Sequence, residues 1–170
     1  MNILIVYSSV TGNTKYLAES LASSEHTLTV LPIYPVPQKL DYDIIFLGFW
    51  VYRGAPDPRM LRFMQKIQGK NIALFGTLSA YPHSEHAQKV LARAEKYLTG
   101  NTLLGSFLCL GKLEKKRYLN KLSASSAKHP MTKERQERLL EGQKHPTLQD
   151  CQNFQKFFDN VVKLQSNKIK

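Results

Sequence analysis

Tyr7-Ser8-Ser9-Val10-Thr11-Gly12-Asn13-Thr14 follows directly on the apolar run Ile3-Leu4-Ile5-Val6. A continuous apolar run of this length predicts a strand covered on both faces, as in a parallel sheet. Just beyond it the chain turns to small hydroxyls, an amide and a glycine, with no Lys or Arg. Where such a loop opens a helix, free backbone N–H groups and a partial positive charge face outward. Ser and Thr hydroxyls add donors, and Gly12 lets the chain turn closely around a ligand. Ser9–Thr14 thus has the chemistry to hold a phosphate monoester with neutral donors. No Lys follows the glycine, so this is not a Walker-type site, and it does not read G-x-G-x-x-G. On these residues alone, an ordinary strand-to-helix turn capped by Thr11 or Asn13 fits equally well.

Working outward, strands and helices alternate. Asn2–Tyr7 is the first strand, and Asn13–Ala22 is helical with Leu17 and Leu21 four apart. Thr27–Leu31 is a short strand, which the prolines in Pro32–Pro37 cannot continue. Asp43–Phe49 is a second fully apolar strand. Asp57-Pro58 opens a helix, Asp as N-cap and Pro in the first turn, with Met60, Phe63, Met64 and Ile67 on one face. Asn71–Gly76 is the next strand. Ser84 caps a helix whose stripe is Ala87, Val90, Leu91, Ala94 and Leu98. Thr102–Leu110 is the fifth strand. This alternation predicts an α/β fold with a doubly wound, five-stranded parallel sheet. Ligands of such sheets bind beyond the carboxyl ends of the strands, where the order reverses. That singles out the loops at Ser8–Asn13, Trp50–Pro56 and Thr77–His83.

The final third differs. Lys112–Leu122 and Thr132–Glu141 read as charged helices, with Ser123–Ala127 as a loop between them. A last helix after His145-Pro146-Thr147 carries Leu148, Cys151, Phe154, Phe158, Val161 and Val162 on a side expected to pack on the sheet. The whole 170-residue chain reads as one domain, a sheet core over 1–110 and a basic helical region over 111–170.

The net charge is +11. Residues 1–110 carry 10 basic and 7 acidic side chains, and residues 111–170 carry 14 and 6, so the excess is concentrated late. A basic region can meet nucleic acid, anionic lipid or an acidic protein, or can be a solvated face. No nucleic-acid motif accompanies it. No apolar stretch approaches membrane-spanning length, and the strand-like start lacks the pattern of a signal peptide. A cytoplasmic protein is expected. Cys109 and Cys151 form no CxxC and suggest neither a disulfide framework nor a metal site. His83 and His86, three apart, read as solvated rather than ligating.

Ser9-Val10-Thr11-Gly12-Asn13-Thr14 resembles the [ST]-x-T-G-x-T phosphate loop of the flavodoxins, which hold FMN. Its place after the first strand, the chain length and the element order agree, over about residues 1–110. The resemblance implies a flavodoxin-like sheet of order 2-1-3-4-5, here with extra C-terminal helices. It implies that Ser9, Thr11, Asn13 and Thr14 bind the FMN phosphate, with backbone help from Val10 and Gly12 and with Ser8 beside them. It places Tyr52 where the family often has a stacking aromatic, although Trp50 could stack instead, and it brings the Trp50–Tyr52 backbone, Val51 included, to the ring edge. It implies that a peptide near Gly54 flips on reduction, for which the Arg53–Gly54 peptide is the choice. Thr77 and Leu78 would meet the pyrimidine edge. Tyr81 would cover the other face or be a surface turn aromatic.

A narrower resemblance rests on Gly48-Phe49-Trp50, Arg53-Gly54, Phe75-Gly76-Thr77, Cys109, Gly111-Lys112 and His145-Pro146. These segments are similar to the flavodoxin-like proteins associated with bilirubin reductases (BilS type), and imply an electron supplier for a bile-pigment reductase. The loops depart from flavodoxins in one respect. They lack the usual acids, and Arg53 stands at Trp50–Pro56. A cation there favours a reduced, anionic flavin. The function expected is FMN-binding electron transfer to a redox partner with an acidic docking surface. The alternatives are a flavin-dependent quinone or protoporphyrinogen oxidoreductase, and a cofactor-free interaction module on the same fold.

Overall fold

The computed structural model describes residues 1–23, 25–36, 39–123 and 130–169. Strands β1 (Asn2–Tyr7), β2 (Thr27–Pro32), β3 (Ile44–Tyr52), β5 (Asn71–Leu78) and β6 (Thr102–Leu110) form a parallel sheet of order β2-β1-β3-β5-β6. The two-residue β4 (Ala55–Pro56) turns back antiparallel on the end of β3. Helices α1 (Asn13–Ser20), α2 (Pro58–Met64) and α3 (Glu85–Glu95) connect these strands. After β6 come α4 (Lys115–Ser123), α5 (Lys133–Gly142) and α6 (Leu148–Ile169). Counting the five long strands in chain order, the sheet runs 2-1-3-4-5, the doubly wound α/β order expected.

Side chains alternate across a strand, and here both faces are covered. Ile3, Ile5, Ile44, Phe46 and Phe75 point to the face that α1 and α6 cover, through Leu17, Phe154, Phe158 and Val161. Leu4, Val6, Ile45, Leu47, Ile72 and Leu74 point to the face of α2 and α3, against Met60, Met64, Val90 and Ala94. The aromatic seam under α6 is tight, with ring centroids 4.6 Å apart for Phe75–Phe154 and 5.1 Å for Phe46–Phe158. Burying each such side chain contributes about 1.5–3 kcal/mol. Both cysteines are free. Burial pushes the Cys109 thiol far above its ordinary range, leaving it an inert small hydrophobe.

Element ends differ from the sequence expectation by a few residues: β5 reaches Leu78, α1 stops at Ser20 and α4 begins at Lys115. β3 runs three residues past Phe49, because Val51 and Tyr52 pair with Pro56 and Ala55 across a hairpin. Leu148, expected on the buried side of α6, is 73% exposed. It opens the helix, and Phe157 joins the aromatic seam instead, 6.0 Å from Phe107. The run Ser123–Ala127 lies outside the described residues after Ser123, which itself ends α4. Pro37 is likewise outside them. Among the described residues, no helix is long and apolar enough to cross a membrane.

Candidate functional site

The chain leaves β1 for β2 on one side and returns through β3 on the other, so a crevice opens where β1 and β3 diverge. Residues 9–14, singled out from the sequence, sit at its mouth. Gly12 takes φ 89°, the left-handed conformation that glycine adopts freely, and serves as N-cap of α1 with no side-chain hydrogen bond. The first turn of α1 therefore keeps N–H groups for an outside acceptor. Val10 and Thr11 are exposed. The Ser9 hydroxyl is buried and has no partner within the protein. A buried, unpaired hydroxyl is costly, and a ligand oxygen would satisfy it.

The other loop hydroxyls are tied inward. Ser8 Oγ donates to Asp57 Oδ1 (2.8 Å). Asp57 also caps α2, accepting from the N–H groups of Arg59 and Met60 at 3.1 and 3.3 Å. Thr14 is fully buried. Its hydroxyl donates to the Phe49 carbonyl (3.4 Å) and lies 3.1 Å from the Thr77 hydroxyl. Asn13 Nδ2 donates to the Lys112 carbonyl (2.8 Å), tying the loop to the exit of β6. Gly111 packs beneath: a Cβ there would come 2.9 Å from Asn13 Nδ2 and 3.1 Å from Thr77 Cβ.

From the loop a cleft of ≈ 450 Å³ extends across the ends of β3 and β5. Of the residues singled out from sequence, Val10, Thr11, Asn13, Trp50, Val51, Tyr52, Arg53, Thr77 and Leu78 line it. Trp50 and Tyr52 meet edge to face, with centroids 5.5 Å apart at 66°, and the Arg53 guanidinium lies 5.3 Å over the Tyr52 ring. Ser8, Ser9, Gly12, Thr14, Gly54 and Tyr81 do not line the cleft. Tyr81 is partly exposed, and its carbonyl accepts from the N–H and the hydroxyl of the α3 cap Ser84.

Arg53 and Gly54 form a two-residue hairpin loop with φ 50° and 77°. Two successive positive φ values define a type I′ turn, which matches the twist of the flanking strands. Flipping the Arg53–Gly54 peptide would convert it to type II′, which calls for glycine at the first central position, where Arg53 stands. Arg93 Nη1 donates to the carbonyl of the next peptide, Gly54–Ala55 (2.8 Å). The turn thus opposes the flip that the resemblance implied, and Gly54 is explained by the turn itself.

The rest of the cleft wall comes from the C-terminal region. Gly111, Lys112, Glu114, Arg117 and Lys121 line it, beside Ser79 at the end of β5. Lys121 Nζ donates to Ser79 Oγ (2.8 Å), and Arg138 Nη1 of α5 donates to the Ser79 carbonyl. Burial, then the neighbouring Arg138, Arg135 and Arg117, hold the Lys121 ammonium below its ordinary pKa. Arg117 lies 6.0 Å over the Trp50 ring. The lining positions Glu114, Arg117 and Lys121 recur at three and four, a helical face legible in sequence. Which loop that face would meet was not.

The Flavodoxin domain family matches residues 4–159. The chain is 30% identical over 172 residues to the flavodoxin-like domain-containing protein BilS of Clostridioides difficile (strain CD3), a match covering 95% of this chain and 97% of that one. It is 30% identical over 148 residues to the BilS protein of Clostridium symbiosum (strain WAL-14163), covering 74% and 77%. Among solved structures, oxidised Flavodoxin 2 from Bacillus cereus is similar in fold, with TM-score 0.50 and 22% identity over 83% of this chain and 94% of that one. With the order of its sheet, the Ser9–Thr14 loop at the β1/β3 crevice and these matches, the chain belongs to the flavodoxin family.

Proposed function

We propose that this chain is a cytoplasmic electron carrier, one domain over 1–170, that binds FMN in the β1/β3 cleft and passes electrons to a partner reductase. The observation that carries the reading is the Ser9–Thr14 loop. It keeps a buried, unpaired Ser9 hydroxyl and an open helix N-terminus at the mouth of an aromatic cleft. In this reading the Ser9 and Thr11 hydroxyls and the loop N–H groups hold the phosphate. Ser8, Asn13 and Thr14 fix the loop's shape through Asp57, Lys112 and Thr77. Trp50, Tyr52 and Leu78 keep water from the ring, and the Thr77–Leu78 backbone faces its polar edge. The bound flavin supplies the redox chemistry, and the protein supplies position and electrostatics. Two free thiols, one of them buried, suit a reducing compartment. Fluorescence titration of flavin-free protein with FMN tests the reading: quenching that saturates at one FMN per chain is expected, and no quenching sinks it.

The kinship with BilS proteins supports a reductase, in the narrower reading one acting on bile pigments, as the electron acceptor. Lys112 and Arg117 line the cleft and Lys115 and Lys116 stand between them in the chain, all four exposed, with Glu114 the one acid among 111–117. A cationic rim around a redox centre steers an acidic surface toward it. Electron transfer to the partner at limiting concentration should therefore fall roughly tenfold as ionic strength rises from about 0.05 to 0.5 M, through charge screening. A rate independent of salt would remove the docking surface while leaving FMN binding untouched.

A further inference from the structure

Two cations from two different helices converge on one residue of the cleft. Lys121 of α4 donates to the Ser79 hydroxyl, and Arg138 of α5 donates to its carbonyl. Arg117, one turn before Lys121, covers the Trp50 ring. Lys121 and Arg138 are half-buried, and burial disfavours the charge of both. Among the described residues, neither Lys121 nor Arg117 forms a salt bridge. Glu114 lines the same cleft and Glu134 acts on Arg138, yet neither carboxylate pairs with Lys121 or Arg117, and gathering like charges where water is partly excluded costs free energy. A fold that holds them there is suited to a ligand that brings negative charge.

That charge is not the phosphate of the ligand in the loop. Ser79 follows β5, whereas the phosphate loop follows β1, and β3 lies between them. Two strand spacings put Lys121 and Arg138 roughly 10 Å from the loop after β1, and Arg117, over Trp50 of β3, stands one spacing nearer. We propose that Lys121, with Arg117, forms a second anion site of the cleft, which selects the reduced, negatively charged ring of the flavin over the oxidised, neutral one. This rests on the FMN reading above. With dithionite as reductant, the ring takes two electrons and, with one proton from solvent, carries one negative charge, while dithionite is oxidised to sulfite. The type I′ turn at Arg53–Gly54 is built against rearranging on reduction. A fixed charge from α4 needs no rearrangement to act.

Affinity and potential are linked: a group that favours the reduced form raises the couple by its differential binding. Potentiometric titration of FMN-loaded protein reads this directly. Lys121→Met should leave oxidised FMN affinity within about threefold and weaken reduced FMN about tenfold, a fall of ~30 mV for the two-electron couple. Lys121→Arg should keep most of the wild-type potential. Lys116→Gln, which removes the same charge from α4 outside the cleft, should leave it unchanged. Should Lys121→Met fail to fold, Arg117→Gln on the exposed side of the cleft must shift the potential in the same direction. An unchanged potential with FMN bound overturns the proposal, as does an equal fall in Lys116→Gln, which would mark a bulk charge effect. Wild-type protein that binds no FMN overturns the functional reading first, and the two failures are distinguishable.

Discussion

Replacing Thr11 by glutamate is expected to weaken FMN binding by two to three orders of magnitude while leaving riboflavin binding unchanged. Thr11 is exposed, lines the cleft and precedes the left-handed Gly12, so a longer side chain there meets no core and costs the fold little. The glutamate carboxylate would stand beside the ligand's phosphate. Two unit charges 4 Å apart repel by about 4 kcal/mol at an effective dielectric of 20, which is nearly a thousandfold in affinity. Riboflavin has the ring and lacks the phosphate, so it serves as the internal control. Parallel fluorescence titrations of the two flavins against wild type and Thr11→Glu give the answer. Equal losses for both would move the phosphate away from this loop, and no loss for FMN would do the same.

Gly48→Ala is expected to destabilise the protein by about 3 kcal/mol, the upper end for overpacking a core. A Cβ at Gly48 would lie 2.1 Å from Phe75 Cζ and 2.5 Å from Cε2. The ring cannot swing clear. Phe75 is fully buried and packs at 4.6 Å against Phe154 of α6. Gly48 also pairs with Tyr7 at the last residue of β1, directly before the phosphate loop. For a chain of this size the melting temperature should drop by roughly 6–12 °C. Phe75→Leu in the Gly48→Ala background should recover part of that loss, because it removes the atoms the new methyl strikes. A single variant that melts within a degree or two of wild type would show that the approach of the two strands does not need glycine.

Much of the cleft lining was legible in the sequence because its determinants are local. Val10, Thr11 and Asn13 sit where the strand-then-helix pattern put them, and Asp57 and Ser84 cap the helices their neighbours announce. Other assignments depended on partners far along the chain. Ser8 reads like one more phosphate donor, yet its hydroxyl is held by Asp57, 49 residues on. Thr14 reads like another, and it meets Thr77 across the crevice, 63 residues on. Gly54 looks like a hinge for a flipping peptide, whereas the pairing of Tyr52 with Ala55 makes it the second residue of a tight turn.

The basic C-terminal region shows the same division. Its charge excess was plain from composition, and the natural expectation was a solvent-facing docking surface. That Lys121 and Arg138 instead close on Ser79 follows from where α4 and α5 settle beside the end of β5, anchored where the Lys112 N–H donates to the His145 carbonyl. The sequence by itself determined the strands, the helix starts and the neutral character of the Ser9–Thr14 loop, because hydrophobic period and capping act over a few residues. Only the tertiary structure decided which hydroxyls stay free and which cations enter the cleft. Those outcomes depend on contacts between residues 42 to 63 positions apart, and no local pattern encodes which partner arrives.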